Sequence, residues 1–391
     1  MASSKKSQIV NGAELISQAA LDAGVNFFAG YPITPASSVY TAMLTKLQDL
    51  GRIAIGASDE ISALAMCLGA SIRGAKVMTA TSAPGLSLMI ESIGYAFATE
   101  TPCVIVHGQR LGPSTGAATQ SAQGDISFIR NLISGGYEIP VLAINSIFDA
   151  YETTYRAVNL SEELRCPVIL LTEKDIIMSQ RNIDFEKLEE IKSSLKPSQR
   201  PYFDYNSTGK DFKNYDFNEA KEIPEFLPPG IGSEYQSIVT ASMHDKSGML
   251  SKNSPEAFEV LEHLQAKIEE NSDKYSFYNL EDQASDISVI SFLASDLSAK
   301  AAVRDLNTEG IKVNHLSLTT LFPILKKPLR ELSQKSQYII IPEINNDGQY
   351  AQAISSTLLE ANPNLKIVKV NSAAQLISPS AIIKEVKACL K

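Results

Sequence analysis

Between residues 11 and 171 short apolar runs and helix-period segments take turns along the chain, and that alternation limits the fold more than any other feature. Helices are expected at 11–24, 37–47, 60–73, 86–98 and 148–164, with strands at 25–29, 52–56, 76–80, 102–106, 140–144 and 167–171. The first helix carries its own punctuation: Asn11 followed three residues later by Glu14 reads as an N-cap box, and Gly24 as a stop. The strands are continuous apolar runs rather than apolar–polar alternations, which marks strands buried on both faces. Buried strands separated by helices make a parallel sheet covered on both sides, so the fold class is α/β.

The pattern then breaks. From 196 to 285 the chain is polar and holds Pro197, Pro201, Pro224, Pro228, Pro229 and Pro255, so an irregular linker with one exposed amphipathic helix at 255–270 is expected. Alternation resumes at 286, with strands at 287–292, 312–316, 338–341 and 365–370 and helices at 295–306, 348–359 and 381–390. A chain of 391 residues exceeds what one core usually supports, and 44% apolar content is enough for two. The expected organisation is a first α/β domain over 8–195, the linker over 196–285, and a smaller α/β domain over 286–391.

Charge and cysteine usage exclude several function classes. Thirty-five basic against 44 acidic side chains give a net charge of −9, which argues against a nucleic-acid or anionic-membrane surface as the main role. Cys67, Cys103, Cys166 and Cys389 form no C-x-x-C pair, so neither a zinc knuckle nor an iron–sulfur loop can be built from local sequence. So few cysteines in so long a chain also make a disulfide scaffold an unexpected outcome. The N-terminal residues are polar, and no uninterrupted apolar stretch of about 18 residues occurs. A soluble, cytoplasmic protein is expected.

In open parallel sheets ligands bind beyond the carboxyl ends of the strands, and four loops at such ends stand out. Gly30-Tyr31-Pro32-Ile33-Thr34-Pro35 is pinned by two prolines, so Thr34 sits on a stiff, non-helical shelf that reads either as a rigid turn or as a binding loop. Ser58-Asp59-Glu60 opens an apolar helix, where Glu60 is either a first-turn acid complementing the helix dipole or a functional carboxylate. Thr81-Ser82-Ala83-Pro84-Gly85 precedes another helix whose backbone N–H groups could hold an anion, with a plain cap as the alternative. The run from Gly108 to Gly124 is rich in glycine, hydroxyls and amides, with Arg110 as its one charge before the next acid; a merely solvated loop would carry more charge. No P-loop, dinucleotide fingerprint or nucleophile elbow is present, and His107, His244, His263 and His315 read as structural or surface histidines.

Taken together, Gly30-Tyr31-Pro32-Ile33-Thr34-Pro35-Ala36-Ser37-Ser38, Ser58-Asp59-Glu60-Ile61-Ser62, Thr81-Ser82-Ala83-Pro84-Gly85-Leu86-Ser87-Leu88-Met89 and Gln109-Arg110-Leu111-Gly112-Pro113-Ser114-Thr115-Gly116 resemble the alpha subunit of 2-oxoacid:ferredoxin oxidoreductases. The 2-oxoglutarate branch is the nearest in the shelf loop. The resemblance continues through His244-Asp245 and Gly248 to Glu343-Ile344-Asn345-Asn346-Asp347-Gly348-Gln349, so it spans the chain in order.

The resemblance implies a thiamine-diphosphate-binding fold, with a pyrimidine-binding first domain and a transketolase C-terminal-like second domain. It implies that Glu60 is the catalytic carboxylate set against N1′ of the aminopyrimidine, promoting removal of the C2 proton. It places Tyr31, Thr34 and Arg110 at the substrate and Pro32, Ile33, Ser82 and Gly85, with Glu60, at the coenzyme. A guanidinium offers the two-pronged geometry a 2-oxoacid carboxylate accepts. Two stretches depart from the usual family pattern, Ala83 and Ala117-Ala118 standing where glycine and proline-containing sequence are usual, and Leu293-Ala294-Ser295 replaces a usual Gly-Ser.

The activity implied is coenzyme A-dependent oxidative decarboxylation of 2-oxoglutarate to succinyl-CoA and CO2 with reduction of ferredoxin, or the reverse. This sequence has no metal-binding Gly-Asp-Gly stretch for the diphosphate and no cluster cysteines. Mg2+ and a 4Fe–4S cluster are therefore expected on a beta subunit, in an (αβ)2 heterotetramer with room for separate gamma and delta subunits. No nucleic acid or membrane partner is expected. The alternatives are the same chemistry on pyruvate or branched-chain 2-oxoacids, and a non-catalytic α/β assembly subunit.

Overall fold

The computed structural model describes residues 7–206, 211–231 and 234–391. In chain order the first half runs β1 (Ser7–Asn11), α1 (Gly12–Asp22), β2 (Phe27–Gly30), α2 (Ser37–Asp49), β3 (Ile53–Gly56), α3 (Glu60–Ile72), β4 (Val77–Thr81), α4 (Ala83–Ala98) and β5 (Cys103–Gln109). It continues with α5 (Ile126–Arg130), β6 (Val141–Ala143), α6 (Ala150–Leu164), β7 (Pro167–Glu173), α7 (Lys174–Met178), β8 (Gln180–Asp184) and α8 (Phe185–Ser194). The second half holds α9 (Pro255–Glu270), β9 (Tyr278–Glu281), β10 (Ile287–Ser291), α10 (Ala294–Thr308), β11 (Asn314–Leu318) and β12 (Thr320–Phe322). It ends with α11 (Lys326–Lys335), β13 (Tyr338–Glu343), α12 (Gln349–Ala361), β14 (Lys366–Asn371) and α13 (Pro379–Cys389).

Two sheets carry the fold, and both follow from the buried runs in the sequence. The seven-stranded sheet has the order β12-β6-β7-β5-β4-β2-β3, and every neighbouring pair is parallel except β12 with β6. All residues of β4, β5 and β7 are buried, as strands covered on both faces must be. The five-stranded sheet has the order β14-β13-β10-β11-β9, with β9 antiparallel and the rest parallel. The two are not isolated: β12 leaves the second half to edge the first sheet, and Phe292, Phe322 and Tyr350 join the main core cluster. Leu293 takes φ +51°, a region that favours glycine, where the family pattern usually has Gly-Ser. Its N–H donates to Asn145 Oδ1 at 2.7 Å and its side chain is fully buried, so packing offsets a strain of about 1–3 kcal/mol.

The N-cap box on α1 is present as expected, Glu14 N donating to Asn11 Oδ1 at 2.9 Å and Asn11 N to Glu14 Oε2 at 2.8 Å. The region from 196 to 254 has no helix or strand among its described residues, but it is tied down by buried ions. Arg200 forks onto Glu162, Nε to Oε2 at 2.9 Å and Nη2 to Oε1 at 2.6 Å, and donates to the carbonyls of Ser71 and Ala75. Helix α9 is capped by Ser254, and its inner face is not exposed as expected: Val260, His263, Leu264, Lys267 and Ile268 are buried. Lys267 donates to Glu100, whose second neighbour is His263. His263 is stacked 4.0 Å over Phe217 and donates from Nδ1 to Ala220 O at 2.8 Å. Burial pushes the Glu100 carboxyl up, but Lys267, His263 and Arg165 together hold it well below the usual carboxylate range.

Candidate functional site

The order β3-β2-β4-β5 sets the four motif loops at the carboxyl ends of four adjacent strands. At about 4.8 Å per strand, β3 and β5 lie roughly 14 Å apart, so the four loops stand side by side along one edge of the sheet. Arg110 follows directly from β5 and Nη1 donates to the backbone oxygen of Thr34 at 2.5 Å. That contact joins the shelf after β2 to the glycine-rich loop after β5. Arg110 is 5% exposed, and its Nε is buried without a partner, so the guanidinium makes no ion pair among the described residues. Thr34 and Ile33 are half-buried, while Tyr31 and Pro32 are exposed at the outer lip. Pro35 packs on Gly108, where an added Cβ would stand 3.0 Å from the proline ring.

Glu60 is the first residue of α3 and is 6% exposed. The helix does not need it as a cap: Asp59 caps α3 by accepting from Ser62 N at 2.7 Å, and Ser62 Oγ closes the box. The Glu60 carboxylate makes no hydrogen bond or ion pair among the described residues, so its oxygens are left available to a ligand. Gly85, in the first turn of α4, faces it. A Cβ there would lie 2.5 Å from both Glu60 Cγ and Oε1 and 2.2 Å from Thr81 Oγ1, so only glycine fits. Ser82 is buried, its Oγ has no partner among the described residues, and it caps α4 with no side-chain hydrogen bond. Ala83 is the helix's first residue and neither it nor Ala117 or Ala118 has a positive φ, so alanine is unstrained at all three departures.

The structure thus brings Thr34 to Arg110, and Glu60 to Gly85 and Thr81. Sequence reasoning passed over Thr81 as a contact, and it missed a buried polar seam at the far end of the glycine-rich loop. There His107 Nε2 meets Asp125 Oδ2 at 2.9 Å, Gln109 Oε1 accepts from Asp125 N at 3.1 Å, and Glu173 Oε1 accepts from Gln123 Nε2 at 3.0 Å and Ala294 N at 2.7 Å. A long run of amides and hydroxyls with few charges was the available signal. Burial raises the Glu173 carboxyl from about 4.5 to about 7, against the two hydrogen bonds that lower it. The folded state therefore binds the extra proton between these values, and this group's contribution to stability falls as pH rises from about 4.5 to 7. At about 1.36 kcal/mol per pH unit, the destabilisation above pH 7 is about 3 kcal/mol at most. Glu173→Gln is expected to raise stability at pH 8 and to lose that advantage by pH 5, as measured by denaturant unfolding at both pH values.

Residues 18–247 match the family profile described as pyruvate flavodoxin/ferredoxin oxidoreductase, thiamine diphosphate-binding, which defines a thiamine-diphosphate-binding domain. The chain belongs to the 2-oxoacid:ferredoxin oxidoreductases and is an alpha subunit of that family. It is 34% identical over 340 residues to the 2-oxoglutarate synthase subunit KorA of Methanocaldococcus jannaschii, covering 87% of this chain and 89% of the relative. To the KorA subunit of Methanothermobacter marburgensis it is 35% identical, covering 90% and 92%. Among solved structures it is similar to a 2-oxoglutarate:ferredoxin oxidoreductase from Magnetococcus marinus with 2-oxoglutarate, coenzyme A and succinyl-CoA bound. The TM-score is 0.90 at 28% identity, covering 99% of this chain and 66% of that longer one. A split-gene transketolase shares the fold at TM-score 0.55.

Proposed function

We propose that this chain is the alpha subunit of a 2-oxoglutarate:ferredoxin oxidoreductase, which converts 2-oxoglutarate and coenzyme A to succinyl-CoA and CO2 while two electrons pass to ferredoxin, or catalyses the reverse reaction. The observation that carries the reading is the buried, unpaired Glu60 pressed against Gly85. Its surroundings fit thiamine diphosphate: an unfilled carboxylate for N1′, an orphaned Ser82 hydroxyl, and the open N-terminus of α4. When bound, the coenzyme supplies the nucleophilic carbon and the electron sink for decarboxylation.

Everything else is the work of side chains. Glu60, at the start of α3, would hold and exchange the proton at N1′. Pro32 and Ile33 of the shelf, with Ser82 and Gly85 at the start of α4, are the residues that would hold the coenzyme. Arg110 receives the carboxylate next to the reacting carbonyl with its free N–H groups, with the Thr34 hydroxyl as a second donor and Tyr31 at the mouth. Because Arg110 is already bonded to Thr34 O, shelf and cation are oriented as one unit before substrate arrives, which reduces the ordering needed on binding. Mg2+ and the 4Fe–4S cluster are assigned to a beta subunit, in a cytoplasmic (αβ)2 assembly that exchanges electrons with ferredoxin. The preference for 2-oxoglutarate is supported by the KorA relatives and by the ligands named for the Magnetococcus marinus enzyme.

Arg110→Ala is expected to raise KM for the 2-oxoacid and to lower kcat/KM by roughly 10- to 200-fold, the range for losing a hydrogen bond to a charged group at about 1.5–3 kcal/mol. Thr34→Val costs less, about 1 kcal/mol, and Arg110→Lys does not fully rescue because a point charge lacks the planar fork. Steady-state 2-oxoacid-dependent viologen reduction by the assembled complex, beside a measurement of bound thiamine diphosphate, tests this. A kcat/KM within twofold of wild type in Arg110→Ala removes Arg110 from the substrate site.

A further inference from the structure

The second sheet reverses direction at β10. From β10 the chain goes through α10 to β11 on one side, and β13 lies on the other. In open α/β sheets the crevice at such a reversal, between the carboxyl ends of the two strands, is where a ligand is taken. Here it is filled from within. Gln123, at the far end of the glycine-rich loop and fully buried, enters between Ser295, at the start of α10, and the Ile344–Asn345 turn after β13. Its N–H donates to Ile344 O at 2.7 Å, and its Oε1 accepts from Ile344 N at 3.0 Å and Ser295 Oγ at 3.2 Å. Its backbone oxygen accepts from Asn345 Nδ2 at 3.0 Å, and its Nε2 donates to Glu173. Next to it, Gln349 bridges Gly124 O and Ser127 N at 2.9 Å each.

We propose that Gln123 is a positioning residue for the 2-oxoacid: by plugging the switch-point crevice it makes the second domain the fixed anchor of the loop that carries Arg110. The loop is then held at two points, at Arg110 on the Thr34 shelf and at Gln123 in the crevice, with residues 112–116 exposed between them. Glu173 completes the plug from the first sheet, since one of its oxygens accepts from both Gln123 and the first N–H of α10. This explains why buried polar groups concentrate where two apolar cores meet: they specify one docking of loop on domain rather than adding affinity. The inference rests on the reading of Arg110 as the carboxylate ligand.

The test compares Gln123→Ala, Glu173→Ala and Glu173→Gln in the full chain assembled with its partner. Gln123→Ala is expected to raise KM for 2-oxoglutarate about tenfold, the scale of one or two buried hydrogen bonds, with kcat within twofold and bound thiamine diphosphate unchanged. Amide hydrogen exchange over residues 111–122 should quicken at least tenfold in the same variant. Glu173→Ala should behave in the same direction, and Glu173→Gln, which keeps the accepting oxygen, should stay within twofold of wild type in both readouts. Unchanged exchange and unchanged KM in Gln123→Ala overturn the inference, as does a loss of activity that follows unfolding in all three variants alike. Faster loop exchange with KM unchanged overturns the positioning role. Arg110→Ala then locates the fault: if its KM is also unchanged the Arg110 assignment has failed, and if it is raised the failure is confined to Gln123.

Discussion

Glu60→Gln lowers turnover of the assembled enzyme by about 10²–10⁴-fold or more, the range for losing a general acid–base group. Glutamine fits the same space beside Gly85 and Thr81, so fold, assembly and KM for the 2-oxoacid stay near wild type. What it cannot do is exchange a proton at N1′. The alternative, a first-turn acid that only complements the dipole of α3, predicts a loss of no more than about 1 kcal/mol of stability and no loss of rate. Asp59 already caps that helix, so the dipole reading leaves the burial of Glu60 without a cause. Steady-state rates and coenzyme content of the variant complex decide between them; more than a tenth of wild-type rate rules out the catalytic role.

Lys267→Met has the largest expected effect on stability. It removes the cation from α9 and leaves the Glu100 carboxylate fully buried beside Arg165 and His263 only, a change that typically costs about 3–5 kcal/mol. Adding Glu100→Gln in the same chain is expected to recover most of the loss, because the stranded charge and not the missing contact dominates. Denaturant unfolding of the two variants and the single Glu100→Gln forms the cycle. If Lys267→Met alone loses less than about 1 kcal/mol, α9 is not clamped through this pair.

The strands that carry the site were legible because strands buried on both faces leave an apolar run that no surface loop imitates. The β1–β8 pairing was not legible: Ser7–Asn11 and Gln180–Asp184 are largely exposed and polar, so neither face leaves a hydrophobic period. Helix α8 has no fully buried residue, only Leu188 and Ile191 packing partway onto the core, and α11 begins with Lys326-Lys327-Pro328, a proline that a first turn tolerates but that reads as a breaker in a sequence. At the site, Glu60, Thr34 and Arg110 could be singled out from their places at strand ends and from the family resemblance. The Arg110–Thr34 contact, the Gly85–Glu60 approach and the role of Gln123 depend on how adjacent strands and two sheets meet, and no local pattern encodes that. Lys267 shows the same limit, since a lysine on an amphipathic helix reads as solvent-facing until the carboxylate it buries against is known.

The most direct test of the account is the 2-oxoacid dependence of coenzyme A-dependent viologen reduction, measured anaerobically on this chain co-purified with a cysteine-bearing beta subunit. The account predicts a brown complex whose kcat/KM is higher for 2-oxoglutarate than for pyruvate or a branched-chain 2-oxoacid. It also predicts that Glu60→Gln abolishes this activity without loss of bound thiamine diphosphate. A complex that binds thiamine diphosphate yet reduces viologen with no 2-oxoacid, or one in which Glu60→Gln is as active as wild type, contradicts it.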